Sequence, residues 1–325
     1  MEIVTDINNL PENKPSVITL GNFDGLHLGH QMLVKTVINL ARSIQGRSVV
    51  FTFTPHPLKV LAPDRCPPLI NIREEKIQLF RSMGIDLLIL APFTVELSKK
   101  SPEAFVEEIL WRSLHAKVIV VGQNYRFGKD RRGNVRFLKE MGMYLGFDVL
   151  VTKPFTIDNE MVSSTKIRQF LKKGEVEHAA RLMGRPYQLK GKVVKGDGRG
   201  RLLGFPTANI LPVHEIIPCC GVYATKARVE CIDYDSITNI GYRPTFCKET
   251  LCVETHIFGF NRSIYDYEIT ISFVARLRKE KKFDTPEQLI KQIQKDTKQA
   301  KILLKNNTFQ DAILLNPSCC QELVK

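Results

Sequence analysis

Through the first half of the chain, short runs of apolar and β-branched residues alternate with amphipathic stretches of helical period. Residues 17–20, 48–53, 86–90, 117–121 and 147–151 read as strands, because short apolar runs bounded by polar residues suit strands covered on both faces. Stretches 31–43, 73–83, 102–114 and 135–145 carry apolar residues three and four apart and read as helices. Two more helices are expected at 165–172 and 176–183, the first led by Ser163, Ser164 and Thr165, residues suited to an N-cap. Alternation of this kind predicts a parallel sheet with helices on both faces.

The pattern changes at Gly184-Arg185-Pro186-Tyr187. Beyond it, 188–194, 222–229, 236–240, 252–258 and 267–275 read as short strands between Gly, Pro and Asp turns, as in a small antiparallel barrel. A last helix is expected over 286–304, with Leu289, Ile290 and Ile293 apolar and Asp284-Thr285 at its cap. The expected organisation is therefore a first domain over 1–184, a barrel with its C-terminal helix over 185–305, and a tail over 306–325 without clear period.

Length supports two domains, since 325 residues exceed one ordinary core. No apolar run approaches the roughly 20 residues that span a bilayer. The opening Met1-Glu2-Ile3-Val4-Thr5-Asp6 has neither the basic start nor the apolar run of a secretory leader, so a cytoplasmic protein without membrane partners is expected. Eight cysteines include two adjacent pairs, Cys219-Cys220 and Cys319-Cys320, and no Cys-x-x-Cys. Reduced thiols are expected, rather than a zinc site or a disulfide framework. The formal net charge of +13 calls for an anionic partner, either nucleic acid or a polyphosphate substrate.

Two glycine-rich stretches carry candidate chemistry. Gly21-Asn22-Phe23-Asp24-Gly25-Leu26-His27-Leu28-Gly29-His30 lies between the first long strand and the first helix. A helix N-terminus there offers unpaired N–H groups to phosphate, and ligands of open α/β sheets bind at the carboxyl ends of strands. The second is Gly196-Asp197-Gly198-Arg199-Gly200-Arg201, followed by Leu202-Leu203-Gly204-Phe205-Pro206-Thr207-Ala208-Asn209. It is not a Walker loop, but its glycines can cradle phosphate with backbone N–H groups. Thr207 and Asn209 add hard oxygen donors suited to Mg²⁺ held largely by substrate phosphates.

The first stretch resembles the N-terminal motif of bacterial riboflavin kinase/FAD synthetases, and three more family-like segments follow in order. They are Phe53-Thr54-Pro55-His56-Pro57, Gly122-Gln123-Asn124-Tyr125-Arg126-Phe127-Gly128, and Val162-Ser163-Ser164-Thr165-Lys166-Ile167-Arg168. The second stretch is similar to the flavokinase motif of the same family. So are Asn239-Ile240-Gly241-Tyr242-Arg243-Pro244-Thr245-Phe246, Val253-Glu254-Thr255-His256-Ile257-Phe258 and the basic run Arg276 to Phe283. The resemblance covers about residues 14–300. Two departures stand out: Tyr265-Asp266 where the family commonly has Tyr-Gly, and a short loop from Cys247 to Leu251.

The resemblance implies a Rossmann-like nucleotidyltransferase domain followed by a flavokinase barrel. Their joint activity would be phosphorylation of riboflavin to FMN by ATP, then adenylylation of FMN to FAD. It places Gly21, Phe23, Asp24, Gly25, His27, Gly29 and His30 on ATP, with Ser163, Ser164, Thr165 and Arg168, the last as a charge clamp. Pro55, His56, Pro57 and Asn124 fall on the flavin side. In the barrel it implies Gly196, Gly198, Arg199, Gly200 and Arg201 on phosphate, Thr207 and Asn209 on Mg²⁺, Glu254 as the base and Arg276 at the flavin. Riboflavin, FMN and ATP are the expected partners, and apo-flavoproteins the recipients of FAD. Two rivals are weighed: a nucleotidyltransferase for another substrate or with one activity lost, and a basic nucleic-acid-binding protein that keeps the fold. The fused kinase motifs weigh against the first. Lack of an aromatic-rich RNA motif weighs against the second.

Overall fold

A computed structural model describes residues 1–6, 14–196, 198–244 and 249–306; for Arg199 and residues 243, 244, 249 and 250 only the backbone is described. The short loop noted after Phe246 and the tail beyond 306 fall outside these residues. The chain divides into two compact units, one ending at Val162 and one starting at Ser163.

The first unit is built on a six-stranded, wholly parallel sheet. Its strands are β1 (Glu2–Val4), β2 (Ser16–Leu20), β3 (Arg47–Thr54), β4 (Leu87–Pro92), β5 (Ala116–Gly122) and β6 (Asp148–Thr152). They lie in the order β1-β4-β3-β2-β5-β6. The helices are α1 (Leu28–Ser43), α2 (Arg73–Met83) and α3 (Val135–Leu145). The segment expected as a helix over 102–114 starts as one α-turn and continues as a π-helix, Phe105–Ser113, with buried Phe105, Val106, Ile109 and Leu110. Alternate strand residues face opposite sides. Ile18, Val49, Phe51, Leu87 and Ile89 pack with Phe105, Leu110 and Leu138, while Val50, Leu88 and Leu90 pack with Val34, Ile38 and Phe80. The chain runs β2-β3-β4 to one side and then returns to place β5 on the other side of β2. This is a topological switch point, where the loops after β2 and β5 leave a crevice for ligand.

The second unit opens with α4 (Ser164–Lys173) and α5 (Val176–Met183). A closed barrel follows, made of β7 (Tyr187–Val194), β8 (Ala208–Pro212), β9 (Gly221–Val229), β10 (Ile232–Pro244), β11 (Glu249–Ile257) and β12 (Glu268–Arg278). The order around the barrel is β7-β8-β11-β10-β9-β12, with antiparallel pairings throughout. Its buried side holds a chain of hydroxyls. Thr225 Oγ1 lies 2.8 Å from both Ser236 Oγ and Thr238 Oγ1, and Thr238 Oγ1 lies 2.9 Å from Thr255 Oγ1. Each buried hydroxyl has a partner, so polar groups sit in this core without the cost of an unmade hydrogen bond.

The closing helix α6 (Pro286–Lys305) is capped as expected, Thr285 Oγ1 accepting from Gln288 N at 3.4 Å. Ala300 and Leu304 pack it on the outer face of the barrel against Ala224, Val274 and Ala275. Helices α4 and α5 are tied to the same barrel. Arg276 Nη1 donates to Lys173 O at 2.8 Å, Arg276 N donates to Glu177 Oε1 at 3.0 Å, and Cys219 N donates to Leu171 O at 3.1 Å.

Asp266, where the family commonly has Gly, explains that preference. Its φ is 69°, in the left-handed region that glycine adopts without strain. Its carboxylate compensates in part by pairing with Lys192 Nζ at 2.8 Å, and the pair holds the Asp266 carboxyl below its ordinary value. Both side chains are exposed, so the pair adds little. Asp266→Gly is therefore expected to raise the thermal midpoint of the barrel unit; a clear fall would show that the ion pair outweighs the backbone strain.

Candidate active sites

The Gly21–30 loop leaves β2 at the switch point and turns into α1. His27 is the N-cap of α1, its Nδ1 accepting from His30 N at 3.3 Å. The two imidazoles stack, centroids 3.6 Å apart and planes 15° from parallel. Gly29 makes room for this, since a Cβ there would stand 3.3 Å from the His27 ring. Burial holds His30 well below its ordinary value, helped by the charges of His27 and Lys76. Its Nδ1 is sealed from solvent and has no hydrogen-bond partner among the described residues. The ring is therefore neutral near pH 7.

Phe23 and Asp24, expected at ATP, face inward instead. Phe23 is 2% exposed and stands edge-on to both His30 and Phe80, centroids 5.2 and 5.6 Å away. Asp24, 5% exposed, accepts from Ile70 N at 3.0 Å and Asn71 N at 3.4 Å. Gly25 follows at φ +80° with Ile70 close beneath it. These three residues brace the loop against the 70–71 segment. Asp24→Ala would leave two buried amides short of an acceptor, at about 1–3 kcal/mol each. The expected result is a lowered melting midpoint of the first unit, with that of the barrel unit unchanged; an unchanged midpoint of the first unit would overturn this bracing role.

The Pro55-His56-Pro57 segment is brought to the same loop. His56 Nε2 lies 2.9 Å from Asn22 Nδ2, and His56 Nδ1 caps the short helix Pro57–Leu61 by accepting from Leu58 N at 3.1 Å. Asn124 is exposed in the turn just after β5, on the other strand of the switch point. Sequence reading missed Lys76, whose Nζ donates to Asn22 O at 2.8 Å; on α2 it looks like any helix-surface lysine. Ser163 is the N-cap of α4, its Oγ accepting from Lys166 N at 3.4 Å, and Ser164, Thr165 and Arg168 follow in the first turns. These four belong to the second unit by compactness.

The barrel carries a cavity of about 360 Å³ on its outer face, closed on one side by the start of α6. Glu254 lies at its floor. Register places Glu254 opposite Asn209 of β8 on one side and opposite Asn239 of β10 on the other. Directly opposed residues point to one face of a sheet, so a carboxylate and two carboxamides line the same wall. Thr207, Gly198 and Gly200 also line the cavity, and His256 Nδ1 fixes the turn before Thr207 by meeting Pro206 O at 2.8 Å. Gly196 is required for close approach: a Cβ there would lie 2.1 Å from Asn209 Nδ2. Arg201 lines a smaller neighbouring pocket beside Pro206 and Thr207.

Arg276, expected at the flavin, is a tie between barrel and helices. Its guanidinium donates to Lys173 O at 2.8 Å and Cys220 O at 2.5 Å. The arginine that lines the cavity is Arg278, which donates to the buried Asp296 of α6 at 2.8 Å and lies over the Phe283 ring. Asn239, Arg278 and Asp296 were not singled out from sequence; the first shows only through strand register and the last only through the docking of α6.

Fold and sites together give a parallel α/β unit with a glycine-rich loop at its switch point, followed by a barrel with a second glycine-rich loop beside a carboxylate, the arrangement of a two-part transferase family. The family model described as FAD synthetase matches residues 9–166, and that described as riboflavin kinase matches residues 183–304. Relatives named bifunctional riboflavin kinase/FMN adenylyltransferase are similar over nearly their full length. The one from Buchnera aphidicola subsp. Schizaphis graminum is 35% identical over 91% of this chain and 96% of its own. That from Bacillus subtilis is 37% identical over 89% and 92%. A crystal structure described as a macrolide-efflux protein from Streptococcus pneumoniae shares 30% identity and a TM-score of 0.84, over 92% of this chain and 98% of its own. The chain belongs to the bifunctional riboflavin kinase/FMN adenylyltransferase family.

Proposed function

We propose that the outer barrel face bearing Glu254 is the riboflavin kinase site of this enzyme and that the Gly21–30 loop is its FMN adenylyltransferase site. The observation that carries the first assignment is Glu254 held in register between Asn209 and Asn239 on the wall of the cavity. In the kinase reaction the terminal ribityl hydroxyl attacks the γ-phosphorus of ATP, Glu254 accepts the hydroxyl proton, and ADP leaves. Leu289, Ile293 and Phe283 offer apolar surface to the flavin ring from the α6 side. Gly196, Gly198 and Gly200 let backbone amides approach the phosphates, with Arg199 and Arg201 on the same loop.

No group of three or more His, Cys, Asp or Glu among the described residues forms a metal cage. Thr207 and Asn209, a hydroxyl and an amide oxygen on the cavity wall, instead fit a Mg²⁺ carried mainly by phosphates. When bound, the ion would neutralise charge on the transferring phosphoryl group.

In the adenylylation reaction an FMN phosphate oxygen attacks the α-phosphorus of a second ATP, and pyrophosphate leaves. No enzyme side chain forms a bond, so alignment and charge stabilisation carry the rate. The stacked His27 and His30 rings meet the ATP phosphates at the N-terminus of α1. Pro55, His56, Pro57 and Asn124 take the flavin side.

A cytoplasmic setting fits a substrate pool of ATP. No described helix is long and apolar enough to cross a membrane, and no disulfide joins the described cysteines. Apo-flavoproteins are the consumers of the FAD produced. Incubation with riboflavin, ATP and Mg²⁺, with flavins separated over time, tests the assignment. FMN should appear first and FAD second; a folded enzyme that yields neither would overturn it.

A further inference from the structure

Three segments of the first unit meet at Asn22. Its side-chain amide lies 2.9 Å from His56 Nε2, and its carbonyl accepts from Thr52 Oγ1 at 3.4 Å and from Lys76 Nζ at 2.8 Å. Lys76 reaches this carbonyl from α2, across from the loop that carries His27 and His30. An ammonium has three N–H donors and is costly to desolvate. Burial holds Lys76 below its ordinary value, with Asp24 pulling the other way. The Asp24 oxygens are already engaged by the Ile70 and Asn71 amides, so the cation is not closed off in a simple ion pair. The charges that reach His30 are those of His27, on its own loop, and Lys76, on the helix packed beside it.

We propose that Lys76 is a positioning residue for adenylyl transfer, acting through the Asn22 peptide, whose carbonyl it holds on the loop that carries His27 and His30. Its charge adds to the burial that keeps His30 neutral. The inference rests on the reading of the Gly21–30 loop as the ATP site.

The test compares the full-length enzyme with Lys76→Gln, Lys76→Met, Lys76→Arg and His30→Ala, using supplied FMN, ATP and Mg²⁺. Glutamine carries no charge and ends one bond short of the lysine nitrogen that holds the Asn22 carbonyl. Lys76→Gln and Lys76→Met should lose adenylylation by about tenfold or more, as expected when a positioned group is misplaced. Lys76→Arg should stay near the wild-type rate, and riboflavin phosphorylation should be unchanged in all. The imidazole resonances of His30 give a second readout, which a merely structural lysine would not move. Their titration midpoint should lie below 6.5 in the wild type and rise in the glutamine variant but not in the arginine variant. Wild-type activity in Lys76→Gln, or an ordinary His30 midpoint in the unmodified enzyme, overturns the inference; the second result needs no variant to fold. Full adenylylation by His30→Ala would instead remove the reading of the loop as the ATP site. An inactive His30→Ala beside a fully active Lys76→Gln would remove the Lys76 inference alone.

Discussion

Glu254→Gln is expected to slow conversion of riboflavin to FMN by about 10²–10⁴-fold while the same protein still converts supplied FMN to FAD. The substitution keeps the shape of the side chain and its place between Asn209 and Asn239, so the wall of the cavity is preserved. It removes the negative charge and, with it, the ability to accept the ribityl proton. A positioned base contributes about 10²–10⁴-fold, and the loss should fall in that range and appear in kcat. Chromatography of riboflavin, FMN and FAD over time reads both reactions in one tube. Riboflavin consumed at the wild-type rate would remove Glu254 from the chemistry. Loss of both reactions would point to a damaged fold.

His30→Ala is expected to give the complementary result: FMN accumulates from riboflavin and FAD formation is strongly slowed. Removing one preplaced donor from developing charge costs about 10²–10³-fold in comparable sites, and here it also removes the stacking partner of His27. The pH dependence has a definite sign. The folded chain keeps His30 neutral, so above its ordinary value of 6.5 the folded and unfolded chains carry the same charge there. Below that value the unfolded chain takes up the proton first, and the first unit loses stability as pH falls towards the lower folded value. In His30→Ala this contribution to acid sensitivity is absent. A thermal midpoint that falls with acid equally steeply in both proteins would contradict the assignment of the buried ring.

Much of the fold was legible because its strands are of the kinds that sequence marks strongly. β2 and β4 are buried along nearly their whole length and read as unbroken apolar runs. Among the elements that escaped were β1, a three-residue edge strand, and β8, whose Leu211 is 62% exposed. Neither has an apolar period of its own. β8 is a strand because β7 and β11 supply its hydrogen-bond partners. His27, His30, Thr207, Asn209 and Glu254, the residues proposed for the two sites, were singled out on glycine spacing and family-like motifs. Arg276 shows the limit. A single residue separates it from Arg278 on β12, yet register irregularities between β9 and β12 accompany different fates: one guanidinium ties down Lys173 and Cys220, and the other lines the cavity.

By itself the sequence determined the succession of a parallel α/β unit and an antiparallel barrel, the two glycine-rich loops, and the chemical types gathered there. These are encoded locally, in apolar period, turn residues and short motifs that depend on neighbours in the chain. Only the tertiary structure decided that Phe23 and Asp24 brace their loop from within, that Lys76 reaches Asn22, and that Asn239 flanks Glu254. Those contacts join residues far apart in the chain, and strand register and helix docking select them from many side chains of the same type.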